Sequence, residues 1–186
     1  MIHQDDLRKM IGYVEDMRIK FYQALSFQNA IDGVTSFGRV EPAATAKFIE
    51  DLEGYMIVYP SFPPMLKDIN RKTINDYKYY YYNATKQAID WENAPKIRLP
   101  ASVWIVYTLS EDLYFDLDNF FRKVLINAVV RSGLIPDDSI NYLKSITDVI
   151  FKNTSYERKT YLFLFPTDNF PSFDQIRRYV SCGLRS

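Results

Sequence analysis

Four acidic side chains and two adjacent cations stand where a chain poor in other reactive residues has to do its chemistry. Asp116-Leu117-Asp118-Asn119 and Pro136-Asp137-Asp138 flank a stretch of helical spacing that carries Arg122 and Lys123 near its start. In extended backbone, residues i and i+2 face the same way, so Asp116 and Asp118 can aim at one point. Bringing Asp138 to the same point demands a cation, because two carboxylates about 4 Å apart repel by roughly 4 kcal/mol at an effective dielectric of about 20. A proton or a divalent metal relieves that repulsion. Oxygen-only donors suit Mg²⁺, with Mn²⁺ as a substitute, and both ions also take substrate phosphate. Lys123 and Arg122 can then offset charge that develops on a transferring phosphoryl group. A plainer reading uses the same residues: Asp118 caps the helix, Asp116 is solvated, and Pro-Asp-Asp makes a turn. The DxD spacing alone does not separate the two. The intervening helix of about 13 residues spans roughly 20 Å. Asp138 therefore rejoins the pair only if the next strand runs back along the helix or the sheet gathers the strand ends.

Composition removes most other chemistries. With 186 residues, 47% apolar and 25% charged, the chain fits one globular domain plus an appendage. One histidine, His3, argues against multi-histidine metal sites and a Ser-His-Asp triad, and one cysteine, Cys182, excludes an internal disulfide. Six scattered glycines form neither a P-loop nor a dinucleotide fingerprint. No apolar run approaches the ~20 residues of a membrane helix. Asp5 and Asp6 stand where a signal peptide would be positive, so a cytoplasmic (intracellular) location without membrane attachment is expected. Net charge is zero, split as −3 over residues 1–53 and +3 over residues 54–186. That asymmetry is a weak pointer to nucleic acid.

The elements that would position these residues follow from periodicity. Residues 5–30 predict one long helix, with Leu7, Met10, Ile11, Val14, Met17, Phe21 and Leu25 on an apolar stripe. That stripe packs on its own chain or pairs with a second subunit or another protein. Residues 42–52 predict a short second helix opened by Pro42. Strands are expected at 55–59, 101–109, 139–151 and 159–165, and helices at 73–90 and 120–132, the latter stopped by Gly133. Ser172-Phe-Asp-Gln175 predicts a capping box opening a C-terminal helix. Four consecutive tyrosines, Tyr79–Tyr82, include at most two that can stack on bases. The expected class is α/β (α+β): a mixed sheet packed with two main helices. Its division is a helical extension (1–53), a central domain (54–169) and a helical tail (170–186).

The runs Phe115-Asp-Leu-Asp-Asn119, Val124-Leu-Ile-Asn-Ala-Val129 and Gly133-Leu-Ile-Pro-Asp-Asp-Ser139 resemble the RusA-type Holliday junction resolvases. The order of elements from about residue 54 to 168 agrees, with Tyr59-Pro-Ser-Phe-Pro-Pro64 as the proline-rich loop after the first strand. The resemblance implies a homodimeric, Mg²⁺-dependent endodeoxyribonuclease that resolves four-way DNA junctions in recombination and repair, often in phage or prophage settings. It implies Asp116, Asp118 and Asp138 as metal-binding and catalytic carboxylates. The catalytic lysine falls on Lys123 when counted from Asn127 and on Arg122 when counted from Asp118. Asn119 would orient the site, and Asp137 would assist it or shape the turn. Arg131, Lys144, Lys152, Arg158 and Lys159 are the candidate DNA contacts. Two features depart from the pattern: Glu111 and Asp112 stand where basic residues are common, and the loop reads Met65-Leu-Lys-Asp68 without the usual asparagine. A non-cleaving branched-DNA-binding or scaffold relative, recruiting a partner through the N-terminal helix, and a flap or single-strand endonuclease are the alternatives.

Overall fold

A computed structural model describes residues 44–66, 69, 73–109, 119–152 and 157–182, together with residues 10, 13, 14, 17, 19–21 and 24, which are helical. Five strands form one mixed sheet: β1 (Thr45–Ile49), β2 (Gly54–Tyr59), β3 (Ala101–Leu109), β4 (Leu143–Lys152) and β5 (Lys159–Pro166). Their spatial order is β1-β2-β5-β3-β4. Every pairing is antiparallel except β3 with β4, which is parallel. Beyond the helical residues near the amino end, the described fold has three helices: α1 (Thr73–Ala88), α2 (Lys123–Ser132) and α3 (Phe173–Cys182). The chain is thus of the α+β class. No helix among the described residues is long and apolar enough to cross a membrane.

Strand alternation divides the core between the two faces of the sheet. Tyr55, Ile57, Tyr59, Val103, Ile105, Tyr107, Leu162 and Leu164 point to the face covered by α1 and α2. Met56, Trp104, Val106, Tyr161, Phe163 and Phe165 point to the other, where Ile176 and Val180 of α3 sit. All nine residues of β3 are buried, as its unbroken Ala-Ser-Val-Trp-Ile-Val-Tyr-Thr-Leu run requires of a strand covered on both faces. α1 is fastened to β2 by the Tyr59 and Thr85 hydroxyls, 2.6 Å apart, and to the loop that follows it by Tyr81, whose hydroxyl donates to the Phe62 carbonyl at 3.0 Å.

Two elements differ from the sequence expectation. Within 42–52, residues 45–49 form a strand rather than a helix, followed by a single 3-10 turn over Glu50–Leu52. Backbone pairing of Thr45–Ile49 along β2 outweighs a modest helical pattern, and the β-branched ends favour extension. Residues 44–53 are consequently continuous with the sheet. The turn closes tightly: Glu53 takes φ 47° and its N–H donates to the Glu50 carbonyl. At Gly54 a Cβ would lie 2.2 Å from the Leu164 carbonyl oxygen, so only glycine lets β2 approach β5 there. The second helix runs over 123–132 rather than 120–132. The Phe121 N–H is already given to the Pro64 carbonyl at 2.8 Å, and Phe120 forms a β-bridge to Met65. Gly133, at φ 89°, ends that helix as expected. Of the long N-terminal helix expected over 5–30, only the eight residues named above are described.

Candidate functional site at the end of the parallel strands

β3, α2 and β4 make one parallel crossover, and such a unit binds ligands by preference beyond the carboxyl ends of its strands. At that end Phe120 stacks on Tyr107, with ring centroids 4.7 Å apart and an angle of 25°. Phe62 meets both rings edge-on, at 5.3 and 5.6 Å. These three rings pin the entry of α2 onto the sheet. The buried Tyr107 hydroxyl donates to Asp148 Oδ1 at 3.3 Å, and Asp148 Oδ2 is ion-paired with Arg122. Burial, with the Asp148 charge beside it, pushes the Tyr107 hydroxyl well above the ordinary tyrosine range.

Asp148 is the residue that sequence reasoning missed. It sits on β4 opposite Ile105 of β3, and its side chain is only 10% exposed. The one signal for it was a lone carboxylate inside the β-rich run Ser145-Ile-Thr-Asp-Val-Ile-Phe151. Its pairing separates the two candidates for the cationic position. Arg122 is held by Asp148, whereas Lys123 is exposed at the first turn of α2 with no ion pair among the described residues.

The remaining predicted residues fall into two groups. Lys152 ends β4 opposite Leu109, and Lys159 opens β5 opposite Thr108. Arg158 precedes it, its guanidinium 4.6 Å from the centre of the Phe62 ring. Lys159 is also paired with Glu157 at 2.6 Å. These three cations therefore share the carboxyl end of the crossover with Asn119, Arg122 and Lys123. Arg131, Lys144, Asp137 and Asp138 lie toward the opposite end. Arg131 is in the last turn of α2, over the Tyr82 ring at 5.4 Å. Lys144 stands at the start of β4. Asp137 Oδ1 accepts the Ser139 N–H at 3.2 Å, and Ser139 accepts the Leu143 N–H at 2.9 Å, which holds this turn beside Ala101. From Ala101 to Tyr107 the strand covers about 20 Å at 3.3 Å per residue. Of the tyrosine run, Tyr80 and Tyr81 are core residues, while Tyr79 is 53% exposed and Tyr82 half-buried.

Asp116 and Asp118 lie outside the described residues. The residue at the helix cap is Arg122. Among the described residues no three or more His, Cys, Asp or Glu side chains gather in a way that would hold a metal. Asp137 and Asp138 are both exposed. Their oxygens suit Mg²⁺ in kind, but alone they do not build its coordination shell.

A groove of about 680 Å³ opens elsewhere, on the α3 face of the sheet, lined by Thr45, Lys47, Ile49, Met56, Val58 and Tyr179 among others. It follows β1, the sheet edge farthest from β4. Of the candidate site residues, only Lys159 lines it. No family model matches the chain, and no curated protein matches it.

Proposed function

We propose that the chain is a Mg²⁺-dependent, structure-selective endodeoxyribonuclease of the RusA type, resolving four-way DNA junctions by paired phosphodiester hydrolysis. One observation carries the reading: Arg122, Lys123, Lys152, Arg158 and Lys159 gather at the carboxyl end of the β3–α2–β4 crossover. In sequence, the acidic stretch containing Asp116 and Asp118 leaves β3 at that same end. Selectivity in this reading comes from DNA shape and phosphate contacts rather than base edges.

Mg²⁺ held by Asp116 and Asp118 would supply activated water and polarise the scissile phosphate, while Asp138 lies toward the other end of the crossover, away from Lys123. Lys123 meets a non-bridging phosphate oxygen, while Arg122, bound to Asp148, keeps the entry of α2 in place. Arg158, its guanidinium placed over the Phe62 ring, contacts the DNA backbone. The protein acts as a homodimer on junctions arising in phage or prophage recombination and repair, in the cytoplasm.

The place of Asp138, at the far end of α2 from Lys123, favours the second reading: a branched-DNA-binding relative that does not cleave. A nicking assay on a synthetic four-way junction, with and without Mg²⁺, decides between them. The nuclease reading expects paired nicks that need the metal, and loss of cleavage with retained binding in Asp118→Asn. Cleavage by Asp118→Asn at the wild-type rate would overturn the site, and absence of any nicking would leave the binding reading. Flap and linear duplex substrates, run in parallel, separate junction resolution from flap or single-strand cutting.

A further inference from the structure

The described helical residues near the amino end face two ways. Ile19 is 1% exposed and belongs to the core cluster beneath α1 and α2. Met10, Tyr13, Val14, Met17 and Phe21 are 54–71% exposed, although all five are large and apolar. At 3.6 residues per turn, Ile19 points roughly 140–180° away from Met10, Val14, Met17 and Phe21. The helix is therefore anchored by its back while it holds out an apolar front.

The spacing of that front suits one kind of occupant. Met10, Val14, Met17 and Phe21 recur at intervals of four, three and four, the seam of a two-stranded helix pair. That series reads the same in both directions about a midpoint between Val14 and Met17. Two antiparallel copies would set Val14 against Met17 and Met10 against Phe21, each contact occurring twice, as a two-fold interface requires. Five side chains exposed to this degree present on the order of 550 Å² per copy, hence about 1,100 Å² for the pair, above the ~1,000 Å² a specific interface needs. We infer that this stripe is a homodimerisation surface, closed by the same helix of a second copy. The inference does not rest on the nuclease reading.

The test is the mass of the full chain in solution, by light scattering or sedimentation, over about 1–100 µM. Wild type is expected at twice 21.9 kDa. Val14→Glu/Met17→Glu puts charges into the seam and is expected to weaken dimerisation by at least about 100-fold, leaving a folded monomer with the wild-type circular dichroism spectrum. Ile140→Glu, at a position 71% exposed and outside the stripe, is the control and keeps the dimer. A monomeric wild type, or a dimer that survives the double substitution, overturns the proposal. In the first case a different protein becomes the partner to seek, and in the second a different face of this one.

Discussion

Replacing Asp148 by alanine tests whether the entry of α2 is held electrostatically or only by its aromatic rings. Two losses follow. The Tyr107 hydroxyl, fully buried, is left without its acceptor. Leaving a buried donor unsatisfied costs about 1–3 kcal/mol. The 3.3 Å separation is long for O–H···O, which puts this loss in the lower half of that range. The Arg122 ion pair is also broken, but its guanidinium side is 51% exposed, so solvent screening limits that loss to under about 1 kcal/mol. Together they come to about 2 kcal/mol, a fall in Tm of roughly 4–8 °C for a domain of this size. Asp148→Asn keeps an acceptor for Tyr107 and removes only the charge, so it should lose under about 1 kcal/mol. Tyr107→Phe in the Asp148→Ala background should restore part of the loss, since the orphaned hydroxyl goes with it. Equal effects of the alanine and asparagine variants in a reversible melt, or an alanine variant within about 0.5 kcal/mol of wild type, would refute this account.

Other perturbations separate the neighbouring roles. Lys123→Ala should reduce junction nicking by at least about 100-fold at unchanged Tm, whereas Arg122→Ala should lower Tm by a few degrees with a smaller effect on rate; the reverse pattern would exchange their assignments. Three to five phosphate contacts from the basic cluster should weaken junction binding roughly 40- to 500-fold between about 50 and 200 mM salt, and a flat titration would remove the cluster from the interface. Gly54→Ala should cost about 3 kcal/mol or more, because its Cβ has no room beside the Leu164 carbonyl; an unchanged urea midpoint would contradict that packing. Tyr179 donates its hydroxyl to Asp51, which holds that carboxyl below its ordinary 3.8. A lowered folded-state pKa gives stability that is present above the ordinary value and lost as pH falls through it and below. Tyr179→Phe should therefore flatten part of the acid limb below about pH 4, and an identical acid limb in both proteins would exclude the contact.

Much of the sheet was legible because its signals are local. The β-branched and aromatic run at 101–109 reads as a strand, and it is one; the structure adds that all nine residues are buried. Gly133 stops its helix in the left-handed conformation that glycine tolerates, and Ser172 caps the last one, its Oγ accepting the Gln175 N–H at 3.2 Å. What escaped depends on partners outside the segment itself. Thr45–Ile49 is a strand because β2 offers it a ladder, and α2 starts late because Pro64, far back in the chain, takes the Phe121 N–H. Asp148 escaped for the same reason: its partners, Tyr107 and Arg122, come from other elements. The aspartates at 137 and 138 were legible as a turn separated from Lys123 by a helix; what was not legible is that the sheet leaves that turn beside Ala101.

The strand order has a consequence for synthesis of the chain. β1 with β2 and β3 with β4 can each pair soon after they leave the ribosome, yet neither pair touches the other across the sheet. β5 is made last and goes between them, joining two half-sheets whose inner margins stay open until it arrives. Loss of residues 159–166 would thus leave two unsealed fragments rather than a shortened domain, and a nascent chain carries exposed strand margins until those residues have emerged.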